Sequence, residues 1–393
     1  MKMVKSLILG SAAGLVAMSG AQAADLPVKA KAVEYVRICS LYGAGFFYIP
    51  GTDTCIKLGG YLRVDTTFNG GVYGQPQYAG DAGQQNRYRD NFVSRSRMAL
   101  TVDTRTATEY GVVRTFGQGD FQFQNFGNNN PNNVFALPGG ASNALQGAGG
   151  GYVAVEMVFI QFAGFTFGKS ASAYSTPWHG YPGNNNSFLM GGHDTVTGVN
   201  NIQYTAEFGN GVSGTIGLDD PTVFNRTSLL NLGVGATPAA PVFSTTGATA
   251  VGANAYGGTL VPDIVGTIRV DQAWGLFQVS GAAHLVNASY NTLGAGGAST
   301  AASELSGHPD SKWGGSVMAA LQIKNIPTGP GDDFKIDVSY AKGNTKNVIS
   351  TSGGSPSFAM FGSGGGGAYQ SVALGNTTDG VFMPGVGGTN GII

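Results

Sequence analysis

The stretch CIKLGGYLRVDTTFN, Cys55–Asn69, decides the fold class of this chain. Read at every second residue, it separates into an apolar set and a mostly polar set. The apolar set is Ile56, Leu58, Gly60, Leu62, Val64, Thr66 and Phe68; the other is Lys57, Gly59, Tyr61, Arg63, Asp65, Thr67 and Asn69. A period of two indicates a β-strand with two different faces. The rest of the chain must decide whether the apolar face meets a protein core or lipid.

The first residues have the pattern of a secretory signal peptide. Lys2 and Lys5 give a positive start, residues 7–18 are mostly apolar, and Ala21–Ala23 supplies small residues for cleavage after position 23. The apolar run is shorter than the ~20 residues that a spanning helix needs. Residues 1–23 are therefore predicted to be a signal peptide. If the mature chain enters a membrane, it must do so as a β-barrel.

The composition favours strands, turns and long polar loops. The chain has 65 Gly, 22 Phe and 16 Tyr among 393 residues, and 11% of them are charged. Soluble domains average about 25% charged residues. A net charge of −1 offers no basic surplus for nucleic acid. The Gly-rich stretch 362–369 lacks the Gly-Lys-Ser/Thr ending of a phosphate-binding loop, so no cofactor is predicted.

The two cysteines, Cys39 and Cys55, flank an aromatic segment with a PGTD turn. In an exported chain an isolated pair of this kind predicts a disulfide bond. A metal site needs more ligands than two cysteines, and no histidine lies near them in the sequence. The pair is therefore expected to close a small loop between two strands.

The alternating pattern recurs along the chain and predicts eleven strands. They are expected at 55–69, 91–105, 108–123, 151–162, 164–169, 199–208, 211–219, 262–272, 275–287, 312–324 and 332–343. Short turns at 106–107, 163, 209–211, 273–274 and 325–331 alternate with long loops at 70–90, 124–150, 170–198, 220–261 and 288–311. Transmembrane β-barrels show this asymmetry, whereas a sandwich has no reason to keep every long loop at one end. We therefore predict an all-β, transmembrane, antiparallel β-barrel with lipid against Leu58 and Leu62 and water against Arg63.

Four blocks of sequence carry a family resemblance. They are VRICSLYGAGFFYIPGTDTCIKLGGYLRVD (36–65), FVSRSRMALTVDTRTATEYGVVRTF (92–116), FIQFAGFTFGKSASAY (159–174) and DTVTGVNNIQYTAEFGNGVSGTIGLDD (194–220). The chain resembles the general porins of alphaproteobacteria such as rhizobia and brucellae. The resemblance implies a sixteen-stranded barrel in the outer membrane of a Gram-negative bacterium. It also implies a homotrimer, contact with outer-membrane lipid, and passive diffusion of small hydrophilic solutes and ions.

The resemblance ends at about Gly343. Residues 24–343 are read as an incomplete porin barrel, and 344–393 as a Gly/Ser-rich loop or divergent tail without a strand pair. The last residue is Ile393, where the family closes with an aromatic residue. Against sixteen strands, eleven leave five missing, so a C-terminal truncation is expected. The alternatives are a solute-specific channel, an adhesin-like outer-membrane barrel, or a non-functional truncated porin.

The predicted functional residues fall into two groups. Strand parity places a basic wall in the lumen: Lys57, Arg63, Arg95, Arg97, Arg105 and Arg114. The resemblance implies a constriction loop at about 170–198, whose candidate residues are Trp178, His179, Tyr181, His193 and Asp194. Asp194 is the single acid of that loop, which predicts weak cation preference or mild anion preference.

An enzymatic function is not predicted. Some outer-membrane barrels are hydrolases with Ser, His and acidic groups at the rim. His193 and Asp194 are adjacent in the predicted constriction loop, but no nucleophile-turn motif accompanies them. The histidines are expected to be satisfied polar residues of loops or lumen, and no metal site is predicted.

Overall fold

The computed structural model describes residues 37–68, 92–124, 152–178, 198–221, 226–231, 256–292, 299–348, 378–383 and 391–392. These residues are almost entirely strands and their short connections. One short helix, α1, spans Ala301–Leu305 and begins with a capping box formed by Thr300 and Ser303. Within the described ranges, no helix is both long and apolar enough to cross a membrane.

A twelve-stranded antiparallel sheet forms most of the described structure. Its strands are β1 (Phe47–Tyr48), β2 (Thr54–Phe68), β3 (Phe92–Thr108), β4 (Gly111–Gln124), β5 (Tyr152–Phe162), β6 (Phe165–Ser170), β7 (Val199–Gly209), β8 (Val212–Asp219), β10 (Asp263–Gln272), β11 (Gly275–Val286), β12 (Lys312–Lys324) and β13 (Asp333–Lys342). Each strand pairs with its neighbours in chain order, and β9 (Ser228–Asn231) is left out of this sheet. All eleven predicted strands are present, and β1 is added to them.

The long and short connections alternate as predicted, with one turn displaced. The sequence placed the first turn at 106–107, but Ala107 and Thr108 still pair with β4, and the turn lies at Glu109–Tyr110. Gly111 closes this hairpin with a φ of +126°. The predicted turn between β7 and β8 is confirmed, with Asn210 and Gly211 both at positive φ.

The two faces of the sheet differ as the sequence predicts. Outward-facing apolar side chains remain exposed, as in Leu62 (80%) and Val64 (76%) of β2 and Val338 (66%) of β13. On the opposite face, charged and polar side chains such as Arg97, Asp120 and His284 are buried. A water-soluble protein buries its apolar side chains and exposes its polar ones. This sheet does the reverse, as a sheet that spans lipid must.

A second, three-stranded sheet combines β9 with β14 (Thr378–Met383) and β15 (Gly391–Ile392). The expectation that no strand pair follows Gly343 is therefore wrong. β14 pairs in parallel with β9 and antiparallel with β15, so it joins residues about 150 positions apart. Its Phe382 is fully buried against Leu229, Val286 and Ala288. These contacts dock the small sheet where β11 ends.

Candidate functional site

The predicted basic residues whose side chains the structure describes lie on one face of β2, β3 and β4, which we call the polar face. Alternation along each strand puts Lys57, Arg97 and Arg105 on this face, and the register brings Arg105 opposite Arg114. Arg63 is half-buried in β2 opposite Arg97. Arg95 lies opposite Asp65 in β3, and its side chain is outside the described structure.

Arg97 is a buried member of an ion pair. Its Nη1 lies 3.2 Å from Oδ2 of Asp120, and both side chains are almost completely buried. Its Nε and Nη2 donate to Oε1 of Gln122 at 3.1 and 2.8 Å. Nη1 also donates to the hydroxyl of Tyr61 at 3.3 Å. The guanidinium is therefore held in one position by several partners.

Arg105 and Arg114 share one carboxylate, that of Asp103. Nη2 of Arg114 lies 2.9 Å from Oδ2 of Asp103, and Nη2 of Arg105 lies 3.3 Å from the same atom. Arg114 also donates to Oε1 of Gln161 at 2.9 Å. Two cations on one acid leave this group with one net positive charge.

A β-bulge brings a further acid to the polar face. The register between β4 and β5 shifts after Gln118, where Met157 and Val155 oppose consecutive residues of β4 and Glu156 is the extra residue of the bulge. Glu156 is buried, unlike the outward-facing Val155 and Val158 on either side. Strand parity alone could not reveal this acid, because the bulge resets the alternation.

The first residues of the predicted constriction loop fold onto the polar face. The side chain of Tyr174 is fully buried against Val265 of β10 and Met318 of β12. The carbonyl of Ser175 accepts a hydrogen bond from Nε2 of Gln278 in β11 at 2.9 Å. After β6 the chain therefore runs across the polar face of later strands. Because the Tyr174 hydroxyl is buried there, its pKa is raised.

The root of this loop is fastened to the end of β8. The hydroxyl of Ser172 donates to Oδ2 of Asp219, and it accepts a hydrogen bond from the amide of Tyr174 at 3.0 Å. Trp178 is half-buried at the end of the described segment. His179, Tyr181, His193 and Asp194 lie outside the described residues.

A polar cluster at the long-loop end of the sheet was not foreseen from the sequence. Nδ1 of His284 lies 2.6 Å from Oδ1 of Asp263, and Nε2 lies 2.9 Å from the hydroxyl of Tyr256. Tyr256 in turn donates to Oδ2 of Asp379 in β14 at 2.8 Å. These three hydrogen bonds need three protons, so either the imidazole is charged or Asp263 is protonated.

Asp379 is the centre of this cluster. Besides Tyr256, it accepts hydrogen bonds from the amide of Thr227 at 3.2 Å and from the amide and hydroxyl of Thr345 at 2.8 and 2.9 Å. Burial and the nearby Asp379 charge raise the pKa of Tyr256, and burial lowers the pKa of Lys346 well below its usual value. The cluster ties β14 to the polar face of β10 and β11.

The Cys39–Cys55 disulfide is confirmed, with Cα atoms 6.1 Å apart. Cys55 lies opposite Arg105 near the β3–β4 turn, so the bond sits at the end of the sheet with short turns. Phe46 is buried beside the disulfide, and Tyr42 and Tyr48 pack against this small core. We call residues 39–55 the disulfide loop.

A long antiparallel meander with an exposed apolar face and a charged opposite face defines the class of membrane-spanning β-barrel proteins. Residues 25–386 match the porin subfamily, so the chain belongs to the porins, an outer-membrane family. The match continues past Gly343, where the sequence analysis placed the end of the resemblance. Family membership places the chain in the outer membrane of a Gram-negative bacterium.

The chain is similar to Brucella porins. Porin Omp2b of Brucella suis biovar 1 and of Brucella abortus are each 38% identical over 221 residues, covering 55% of this chain and 54% of theirs. The chain thus spans about half the length of the curated relatives it matches. The solved outer membrane channel DcaP of Acinetobacter baumannii aligns with a TM-score of 0.45 and 14% identity, covering 81% of this chain and 71% of that one.

Proposed function

We propose that this chain is a porin protomer that forms a water-filled channel for passive diffusion of small hydrophilic solutes and ions. The observation that carries the proposal is the separation of charge from apolar surface along eleven consecutive strands of a chain in the porin family. Lipid would contact the exposed apolar face, and water would fill the space beside the polar face. We further propose that three such chains assemble as a homotrimer.

The basic wall would line the channel from its short-turn end, and its part around Arg97 would act with the loop after β6 at the narrowest point. A diffusion pore selects by size and by the field of the charges that line it. Support for this role comes from the location of Arg97, Arg105 and Arg114 on one face. The polar-face contacts of Tyr174 and Ser175 support an inward course for the constriction loop.

Single-channel conductance tests the channel itself. Residues 24–393 are refolded and added to a planar lipid bilayer, and a full-length porin refolded in the same way serves as the control. Stable conductance steps are expected, in groups of three if the trimer forms. A chain that inserts into vesicles without giving steps, while the control conducts, would contradict the proposed function.

The channel is expected to be weakly selective, with a slight preference for anions over cations. Asp120 and Asp103 offset two of the three arginines Arg97, Arg105 and Arg114. Lys57 and Arg63 add positive charge, and a single acid is present in the 170–198 loop. The measurement is the reversal potential in a gradient of KCl. A strong cation preference would show that acids outside this wall control the field.

A further inference from the structure

We propose that the disulfide loop is a second selectivity element of the channel, in which the aromatic rings of Phe46 and Tyr42 position the cation of Arg105. This proposal rests on the proposed function and adds a site to it. The loop would act at the mouth with short turns, which is the periplasmic end in barrels of this kind. Its preferred solutes would be small anions such as carboxylates and phosphates.

The loop lies on the same face as the basic wall. The side chain of Cys55 is on the polar face of β2, and the disulfide therefore brings the loop over that face rather than toward lipid. β1 returns to pair with β2, where Phe47 opposes Ile56. The amide of Cys39 donates to the carbonyl of Phe46 at 2.9 Å, which holds the two arms of the loop together. The loop is thus a folded unit, anchored covalently at the channel entrance.

Two aromatic rings of the loop hold one arginine. The guanidinium carbon of Arg105 lies 5.0 Å from the centre of the Phe46 ring and 5.5 Å from that of Tyr42. The rings themselves meet edge to face, with centres 6.0 Å apart. Cation–π attraction of this kind acts within about 6 Å and strengthens when water is displaced. Since about a third of the Arg105 side chain is still exposed, its charge remains available to a passing ion.

Lys57 is held by the same loop. Its Nζ lies 5.8 Å from the centre of the Phe46 ring. The backbone of the loop approaches the lysine closely, because a Cβ placed on Gly45 would lie 3.3 Å from Lys57 Cε. The Phe46 ring therefore contacts two cations from two neighbouring strands. Removal of the ring would leave both charges in the channel with fewer contacts to fix their positions, and Arg105 would keep its pair with Asp103.

The inference predicts that Phe46 and Arg105 are coupled in selectivity. Arg105→Gln should lower the anion-to-cation permeability ratio roughly twofold, the effect of one unit charge about 8 Å away in water. In a Phe46→Leu background the same substitution should have a smaller effect, because a guanidinium that has lost one of its two rings moves more and its charge is better screened by salt. Phe46→Leu is preferred to alanine because leucine still fills most of the buried space beside the disulfide.

A matched control separates positioning from general damage. Arg269 lies on the polar face of β10 near a short turn and pairs with Asp271 at 2.7 Å. In the described part of the chain, it does not stack on the rings of the disulfide loop. Arg269→Gln should therefore shift the reversal potential equally in the wild-type and Phe46→Leu backgrounds. An intact disulfide in each variant, checked by mass spectrometry, confirms that the loop has formed.

The outcomes distinguish this proposal from the one it rests on. A wild-type chain that forms no channel overturns the proposed function and this inference together. A conducting wild-type chain in which Arg105→Gln has the same effect in both backgrounds overturns this inference alone. Coupling for Arg105 with additivity for Arg269 supports it.

Discussion

Asp120→Ala is expected to lower the free energy of unfolding by about 3–5 kcal/mol, the cost of removing one partner from a buried ion pair. Arg97 and Asp120 are 3% and 1% exposed at their side chains, so water cannot replace the lost carboxylate. Gln122 and Tyr61 still accept hydrogen bonds from the guanidinium, but neither carries a negative charge at neutral pH. The measurement is equilibrium unfolding in urea of the chain refolded in lipid vesicles, followed by tryptophan fluorescence.

Two further variants make this test specific. Asp333→Ala breaks the ion pair between Asp333, which is 30% exposed, and Lys335, which is 41% exposed. It should cost much less than Asp120→Ala, because water replaces the lost partner. A double variant, Arg97→Met with Asp120→Leu, removes both charges of the pair and should recover most of the loss, because neither partner is left buried without the other. If Asp120→Ala costs no more than Asp333→Ala, the pair is hydrated and the argument fails.

The strands could be predicted because their signal is local. A period-two pattern in β2 or β11 records directly which side chains face lipid, and it does not depend on distant residues. Arg97 and Arg105 lie on the same face of β3, as their even spacing predicts. The disulfide could be predicted from an isolated cysteine pair in a chain expected to be exported. All of these features could be recognised from residues that lie close together in the sequence.

The partners of the arginines could not be predicted in the same way. The pairing of Arg114 with Asp103 depends on the register between β3 and β4, and that register is set by a turn three residues from the expected place. Glu156 reaches the polar face only because of a bulge. Strand alternation therefore predicted a wall of basic residues. In the structure these residues form ion pairs, so the wall has a smaller net positive charge.

The small sheet left no local signal at all. β9, β14 and β15 are four, six and two residues long, and β14 lies in a Gly-rich part of the chain. Their order depends on parallel pairing across a long separation and on the burial of Phe382. Nothing in the sequence around Asp379 distinguishes it from an ordinary loop acid. Its role emerges only from the four hydrogen bonds that converge on it.

Asp379→Asn is expected to release β14 from the polar face almost as effectively as Asp379→Ala. Both carboxylate oxygens accept from backbone amides, Oδ1 from Thr345 and Oδ2 from Thr227. Whichever way the asparagine amide is turned, its NH₂ group faces one of these N–H donors. Each buried donor left unsatisfied costs about 1–3 kcal/mol, so a substitution that keeps the shape of the side chain cannot keep its function.

Hydrogen exchange in the peptide covering Thr378–Met383 measures this release. Exchange should speed up by roughly tenfold or more in Asp379→Asn, because 1.4 kcal/mol corresponds to a factor of ten. Asp332→Asn is the matched control, since Asp332 is an exposed turn residue that accepts from Thr328 at 2.7 Å. Phe382→Ala should also release the strand, because Phe382 is fully buried. Unchanged exchange in Asp379→Asn alongside fast exchange in Phe382→Ala would mean that apolar packing alone holds β14, and that the polar cluster contributes nothing to its docking.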